Sequence, residues 1–124
     1  LLEGETVIRE FDISLGRRPE GAKRKKGDGR TPEGEYVLDW RNPNSQFYRS
    51  IHVSYPNDAD RSVAHSMGVS PGGMIMIHGQ PLFNSYRYAK LKGDWTEGCI
   101  AVSNAAMDEI WESVEDGTPI EIRP

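Results

Sequence analysis

The chain has 124 residues, 36% hydrophobic and 27% charged, with a formal net charge of -4. That profile fits one modest folded domain and argues against disorder, because the aliphatic and aromatic residues cluster in short runs. The single cysteine excludes an internal disulfide, and no apolar stretch is long enough to cross a bilayer. The chain opens on Leu1 without a visible secretory leader and reads as a mature or trimmed fragment, so its start assigns no compartment.

The 13 glycines and 8 prolines favour many short elements over a few long helices. Residues 5–16, ETVIREFDISLG, carry Val7, Phe11, Ile13 and Leu15 on one alternating face and predict a strand. Residues 17–30, RRPEGAKRKKGDGR, follow as a basic loop in which only Glu20 and Asp28 are acidic, so the remainder of the chain is clearly acidic. Such a run reads as a solvated loop held open by self-repulsion, or as a face for an anionic partner. Nucleic acid is a poor fit, since no aromatic residue interleaves the run and the whole domain is acidic.

GRTPEGEYVLDW predicts a Pro/Gly turn and a strand with Tyr36 and Leu38 on one face. FYRSIHVSY predicts a third strand, ended by Pro56 and Asn57. DADRSVAHSMG predicts a short helix capped by Asp58 and stopped at Gly68. After the SPGG turn, MIMIH is a fourth strand, apolar on both faces and hence central. Residues 79–95 have no clear period and read as a long surface excursion carrying Phe83, Tyr86, Tyr88 and Trp95. CIAVS is a short strand. SNAAMDEIWESVEDG predicts a helix capped by Ser103 or Asn104, with Met107, Ile110, Trp111 and Val114 at i, i+3, i+4 and i+7, and closed by Gly117. TPIEI is a last strand. With no internal repeat and no second domain, residues 1–124 read as one mostly-β domain.

Cys99 is the one thiol. A cysteine attacks as its thiolate, and an ordinary thiol with a pKa of about 8.5 needs an imidazole or a positive field to act at neutral pH. His52 sits within an alternating strand and reads as a half-buried structural residue; His65 reads as solvated. His78 ends an apolar strand, precedes Gly79 and opens a long loop, a usual address for catalysis. Gly98 frees the backbone beside the sulfur to turn, so amides near Gly98 and Cys99 could hold an oxyanion, with Thr96 positioning the turn. The competing reading is an inert core cysteine at a strand start. One Cys and three His without paired spacing do not make a zinc site, and GDGRTPEG lacks the Gly-Lys-Ser/Thr ending of a phosphate loop.

IMIHG at 75–79, followed after a loop by DWTEGCIAVSN at 94–104, resembles the YkuD-type L,D-transpeptidase catalytic domain. That family's signature is His-Gly, a spacer, then Ser/Thr-x-Gly-Cys; here it reads His78-Gly79 and Thr96-Glu97-Gly98-Cys99. The stretches ISLGRRPEGAKRKKGDGRTPEGEYVL, SIHVSYPN and DGTPIEI also look like the family, so the resemblance covers nearly the whole chain. It implies a mostly-β, sandwich-like fold with one or two short helices, acting outside the cytoplasmic membrane on peptidoglycan stem peptides. Neither metal nor organic cofactor is implied, and carbapenem-type compounds are implied as covalent inhibitors. By the motif match, Cys99 would be the nucleophile, His78 the base, Gly79 the source of a carbonyl that orients the imidazole, and Gly98 and Cys99 the oxyanion amides.

Two positions depart from the pattern. Glu97 stands where the commonest motif has His, and Ala101 where the family usually has Arg or Asn. This variant resembles a subgroup that includes hydrolases releasing wall-attached material. Tyr86, Tyr88 and Trp95 are candidates for a lid over the site, and Arg87 or Asn104 for the missing polar contact. Three classes follow: a cross-linking transferase, a hydrolase on the same scaffold, and a wall-binding module without catalysis.

Overall fold

The computed structural model describes residues 1–81, 94 and 96–124. Its elements are β1 (Leu2–Glu3), β2 (Thr6–Val7), β3 (Gly34–Ser45), β4 (Tyr48–Val53), α1 (Asp58–Ser66), β5 (Met76–His78), β6 (Ile100–Ala101), α2 (Asn104–Ser113) and β7 (Thr118–Ile122). The β1–β2 hairpin stands apart, and the other strands form one sheet in the order β6-β5-β4-β3-β7. All neighbours are antiparallel except β5 and β6, which run parallel. The mostly-β expectation with two short helices holds.

Alternation decides the two faces of the sheet. Tyr36 and Leu38 of β3, Ile51 and Val53 of β4, Ile77 of β5 and Ile100 of β6 turn to one side and are buried. α2 closes that side with Ala106, Met107 and Ile110, while Trp111 and Val114 pack at its edge. Burying such side chains stabilises by roughly 2 kcal/mol each, which makes this layer the main source of stability. Ser103 caps α2 through its Oγ, which accepts from the Ala106 amide at 3.1 Å. The helix ends at Ser113, and Gly117 belongs to the turn into β7, where its amide donates to the Leu38 carbonyl. α1 is capped by Asn57 rather than Asp58, in a reciprocal box with Asp60. Asp60 also accepts from the Tyr36 hydroxyl at 2.7 Å, which ties α1 to β3.

Two expectations change. Residues 5–16 do not form one strand; after β2 they run as an extended segment with single bridges, Ser14 to Ala101 and Gly16 to Thr96. Only Phe11 and Leu15 of its apolar residues lean on the core, while Val7 and Ile13 are exposed. The basic loop is not merely solvated either. Lys23 and Asp28 are buried together, Nζ to Oδ1 at 2.9 Å. Asp28 also accepts from the amides of Arg24, Lys25 and Arg30. Burial alone would raise the Asp28 carboxyl, but the Arg24 amide, the Lys23 ammonium and the other two amides outweigh it and bring the pKa down to about 2. The loop folds around this carboxylate and docks on residues 70–72, with the Lys26 amide donating to the Ser70 carbonyl at 2.8 Å.

Asp28→Asn leaves the Lys23 ammonium buried without its counter-charge and is expected to cost on the order of 3 kcal/mol in chemical denaturation. The carboxyl is depressed in the fold, so its contribution is complete above about pH 4 and is lost as pH falls towards 2. A variant as stable as the parent at pH 7 would show that this ion pair does not organise the loop.

Candidate active site

The face of the sheet opposite the core is the floor of a cleft of about 810 Å³. Ser50 pairs with His78 and His52 with Met76, so these four side chains share that face, and Asn42 joins them through its pairing with Ser50. In the parallel pair, Ile77 sits beside Ile100 and His78 beside Ala101. Carrying that register back one residue sets Cys99 beside Met76, on the same face as His78 and diagonal to it. Such diagonal neighbours lie within reach of long side chains. Both Cys99 and His78 line the cleft.

The imidazole is buried and held by a carbonyl and a stacked ring. His78 is 4% exposed. Its Nδ1 lies 2.7 Å from the Gly79 carbonyl oxygen, which can only accept, so the proton is on Nδ1 and Nε2 carries the basic lone pair. Phe47, from the β3–β4 connection, stacks on the ring at 4.4 Å between centroids. Burial pushes the His78 pKa below the ordinary imidazole range, partly offset by the Gly79 carbonyl. A Cβ on Gly79 would meet the Asn104 side-chain oxygen at 2.5 Å and the Phe47 carbonyl oxygen at 3.0 Å, so a larger residue there would displace the Asn104 side chain. That same Asn104 oxygen accepts from the Gln80 amide at 2.8 Å. Asn104, a candidate for substrate contact, thus bonds the backbone two residues beyond the histidine.

The cysteine sits on a turn pinned by one hydroxyl. Thr96 Oγ1 donates to the Cys99 carbonyl at 2.6 Å and accepts from the Gly98 amide at 3.1 Å. Gly98 takes φ +134°, and a Cβ there would lie 2.7 Å from the Arg30 carbonyl, so the position demands glycine. The Gly98 amide, a candidate oxyanion donor, bonds to the Thr96 hydroxyl in this structure. The Cys99 thiol donates to the Met74 carbonyl at 3.5 Å. Burial raises the Cys99 pKa, and the Met76 amide and the Lys23 charge offset it only in part. Both shifts favour the neutral form, the thiol for Cys99 and the imidazole for His78.

At the mouth, Glu97 is largely exposed and lies 3.2 Å from Arg17 Nε. Ala101 is buried at 1% exposure and locked to Ser14 by two backbone hydrogen bonds of 2.8 Å. Tyr86, Arg87, Tyr88 and Trp95 lie outside the described residues. Among the described residues, no group of three or more His, Cys, Asp or Glu is placed to hold a metal ion. Phe47, Met74 and Trp40 also line the cleft and were not singled out from the sequence. Their approach to His78 and Cys99 depends on strand register, which local patterning does not carry.

A curled, mostly-β sheet that sets a Thr-x-Gly-Cys turn beside a His-Gly strand end defines an L,D-transpeptidase-type domain. The family model for the YkuD L,D-transpeptidase catalytic domain matches residues 1–122, and the chain belongs to that family. It is 32% identical over 97 residues to YafK of Escherichia coli strain K12, a protein whose L,D-transpeptidase assignment is itself provisional. That match covers 76% of this chain and 32% of YafK. Among solved structures, the helical cell shape determining protein Pgp2 from Campylobacter jejuni superposes with a TM-score of 0.67 at 31% identity, covering 91% of this chain and 39% of Pgp2. The L,D-transpeptidase from Xylanimonas cellulosilytica, at 21% identity and a TM-score of 0.59, shares the fold over 98% of this chain and 53% of its own. The chain thus spans about a third of YafK and two fifths of Pgp2.

Two measurements follow from the turn and its thiol. Gly98→Ala is expected to lower stability by on the order of 2 kcal/mol, read as a fall in Tm, because it adds a clash to an unfavourable φ. The rate of Cys99 alkylation by iodoacetamide should rise with a midpoint above that of a free thiol, about 8.5. A midpoint at or below that value would mean that the sulfur is not shielded by its surroundings.

Proposed function

We propose that this domain, residues 1–124, performs cysteine-dependent acyl transfer on peptidoglycan stem peptides. The observation that supports the reading is the arrangement of His78 and Cys99 on one face of the β5–β6 pair, in one cleft, with His78 Nδ1 bonded to the Gly79 carbonyl. In this reading Cys99 Sγ attacks the carbonyl of the diamino acid, the third residue of a tetrapeptide stem. His78 Nε2 takes the thiol proton as the C–S bond forms and returns it to the departing amine, releasing the terminal D-amino acid. The resulting thioester is resolved by an amine of a second stem, giving a cross-link. In this reading the amides near Gly98 and Cys99, on the turn that Thr96 pins, hold the tetrahedral oxyanion.

Hydrolysis on the same scaffold is the second reading. It is favoured by Glu97, an exposed carboxylate at the cleft mouth, and by Ala101, which offers no polar group beside the nucleophile. The substrate lies outside the cytoplasmic membrane, so either reading carries a periplasmic or wall location with it. Carbapenem-type compounds would acylate the same sulfur.

Incubation with tetrapeptide muropeptides, followed by mass spectrometry, separates the classes. Dimers are expected for transfer and shortened stems for hydrolysis. Products identical to those of Cys99→Ala would reduce the domain to a wall-binding module. His78→Ala is expected to lower turnover by about 10²–10⁴-fold. Because the imidazole pKa is depressed, His78 is mostly unprotonated at pH 6.5, and the acid limb of kcat/KM should have its midpoint below that value. An acid limb at or above pH 6.5 would contradict the role given to His78.

A further inference from the structure

β3 contains two irregularities, and the first has a chemical consequence. Between the pairs Leu38–Val53 and Arg41–Ile51, β3 advances three residues while β4 advances two. One residue is extra, which is a β-bulge. Without it, Trp40 would follow Tyr36 and Leu38 into the core, because strand side chains alternate. With it, Asp39 and Trp40 both turn to the cleft face, and Arg41 returns to the core side, where its guanidinium bonds the Trp111 and Val114 carbonyls.

Trp40, turned out by the bulge, and Asp39, which faces the cleft by alternation, build a small structure around His52. Asp39 Oδ1 lies 2.6 Å from His52 Nδ1 and holds that ring in place. The Trp40 indole stacks on the same ring, with centroids 4.5 Å apart and an interplanar angle of 9°. Trp40 is nevertheless 40% exposed and lines the cleft beside Asn42, Asn44 and Gln46. A large aromatic ring is thus backed from one side, held still, and presented to the cleft next to neutral amides. Such preorganisation removes part of the entropic cost of binding.

We propose that this platform is a saccharide subsite, which takes the sugar ring to which the stem peptide is attached. The proposal rests on the stem-peptide reading for the identity of that sugar. A flat π-face carries negative charge density and attracts the polarised C–H groups of a sugar ring. Neutral amides supply paired donors and acceptors for hydroxyl and acetamido groups. A cation would be drawn to Asp39, but that carboxylate is committed to His52.

The spacing fits. From Cys99 beside β6 to Trp40 on β3 the sheet steps through β5 and β4, three spacings or about 14 Å. The three residues from the reacting carbonyl back to the start of the stem span about 10–11 Å when extended, and the ether link to the sugar adds the remainder.

The test is calorimetric, in a Cys99→Ala background that cannot turn over substrate. The ligands are free tetrapeptide, disaccharide-tetrapeptide and the tetramer of N-acetylglucosamine. The disaccharide-tetrapeptide is expected to bind about tenfold more tightly than the free peptide. W40A should erase that preference while leaving the free-peptide Kd unchanged, and W40F, which keeps a smaller platform, should retain part of it. Equal affinities in the Cys99→Ala protein, or a W40A loss shared equally by the free peptide, would overturn the proposal. If neither stem ligand binds, the stem-peptide reading fails on its own. The saccharide site then stands if the tetramer binds in a Trp40-dependent way, and falls if it does not. A thermal melt of W40A and W40F identifies any variant that fails to fold.

Discussion

The parallel pairing of β5 with β6 is the contact on which the rest depends. These strands are only three and two residues long. Their register nonetheless puts a thiol and an imidazole 21 positions apart in the sequence on one face of one sheet. So short a pair cannot hold itself together, and the surrounding structure shows what does. β4 pairs with β5 along its whole length, and the segment around Ser14 and Gly16 bridges to Ala101 and Thr96 on the far side. Ile77 and Ile100 fasten both strands to the layer covered by α2. The reactive groups sit on the opposite face of that anchored layer, where burial is enough to set their protonation and the cleft still reaches them.

Burial acts on both partners in the direction of neutrality. It lowers the imidazole and raises the thiol, and both shifts favour the uncharged form. In the proposed reaction the proton passes from Cys99 to His78 during attack, so charge appears only then, as an imidazolium facing an oxyanion, and the thioester that follows is neutral. The Gly79 carbonyl serves that transfer by fixing the tautomer that leaves Nε2 as acceptor. Thr96 does the equivalent on the other side, since one hydroxyl binds both the Gly98 amide and the Cys99 carbonyl and so sets the pitch of the nucleophile's turn. The buried Lys23–Asp28 pair belongs to the same construction. It shapes the basic loop, whose Arg30 carbonyl packs against Gly98.

What the sequence made legible was local or carried by a motif. The stripe Met107, Ile110, Trp111 and Val114 marked α2, and the apolar run ending at His78 marked an interior strand, because each pattern reports its own burial. The His-Gly and Thr-x-Gly-Cys pieces marked the site through family resemblance rather than through spacing. Features that depend on distant partners were not legible. Residues 5–16 alternate like a strand, yet find only single bridges to pair with. Asp28 looks like one more loop charge until three backbone amides converge on it. Trp40 lies in phase with Tyr36 and Leu38, and only a one-residue bulge turns it out of the core. Nor does the order of residues show that the Thr96 hydroxyl accepts from the Gly98 amide.

The most direct measurement is the rate at which a disaccharide-tetrapeptide acylates the protein, followed by intact-mass spectrometry before turnover completes. A single adduct should form, matching the stem without its terminal residue, map to Cys99, and form at least 100-fold more slowly in His78→Ala. An adduct that forms equally fast without His78, or that maps to any other residue, would contradict a thiol–imidazole pair assembled by β5 and β6.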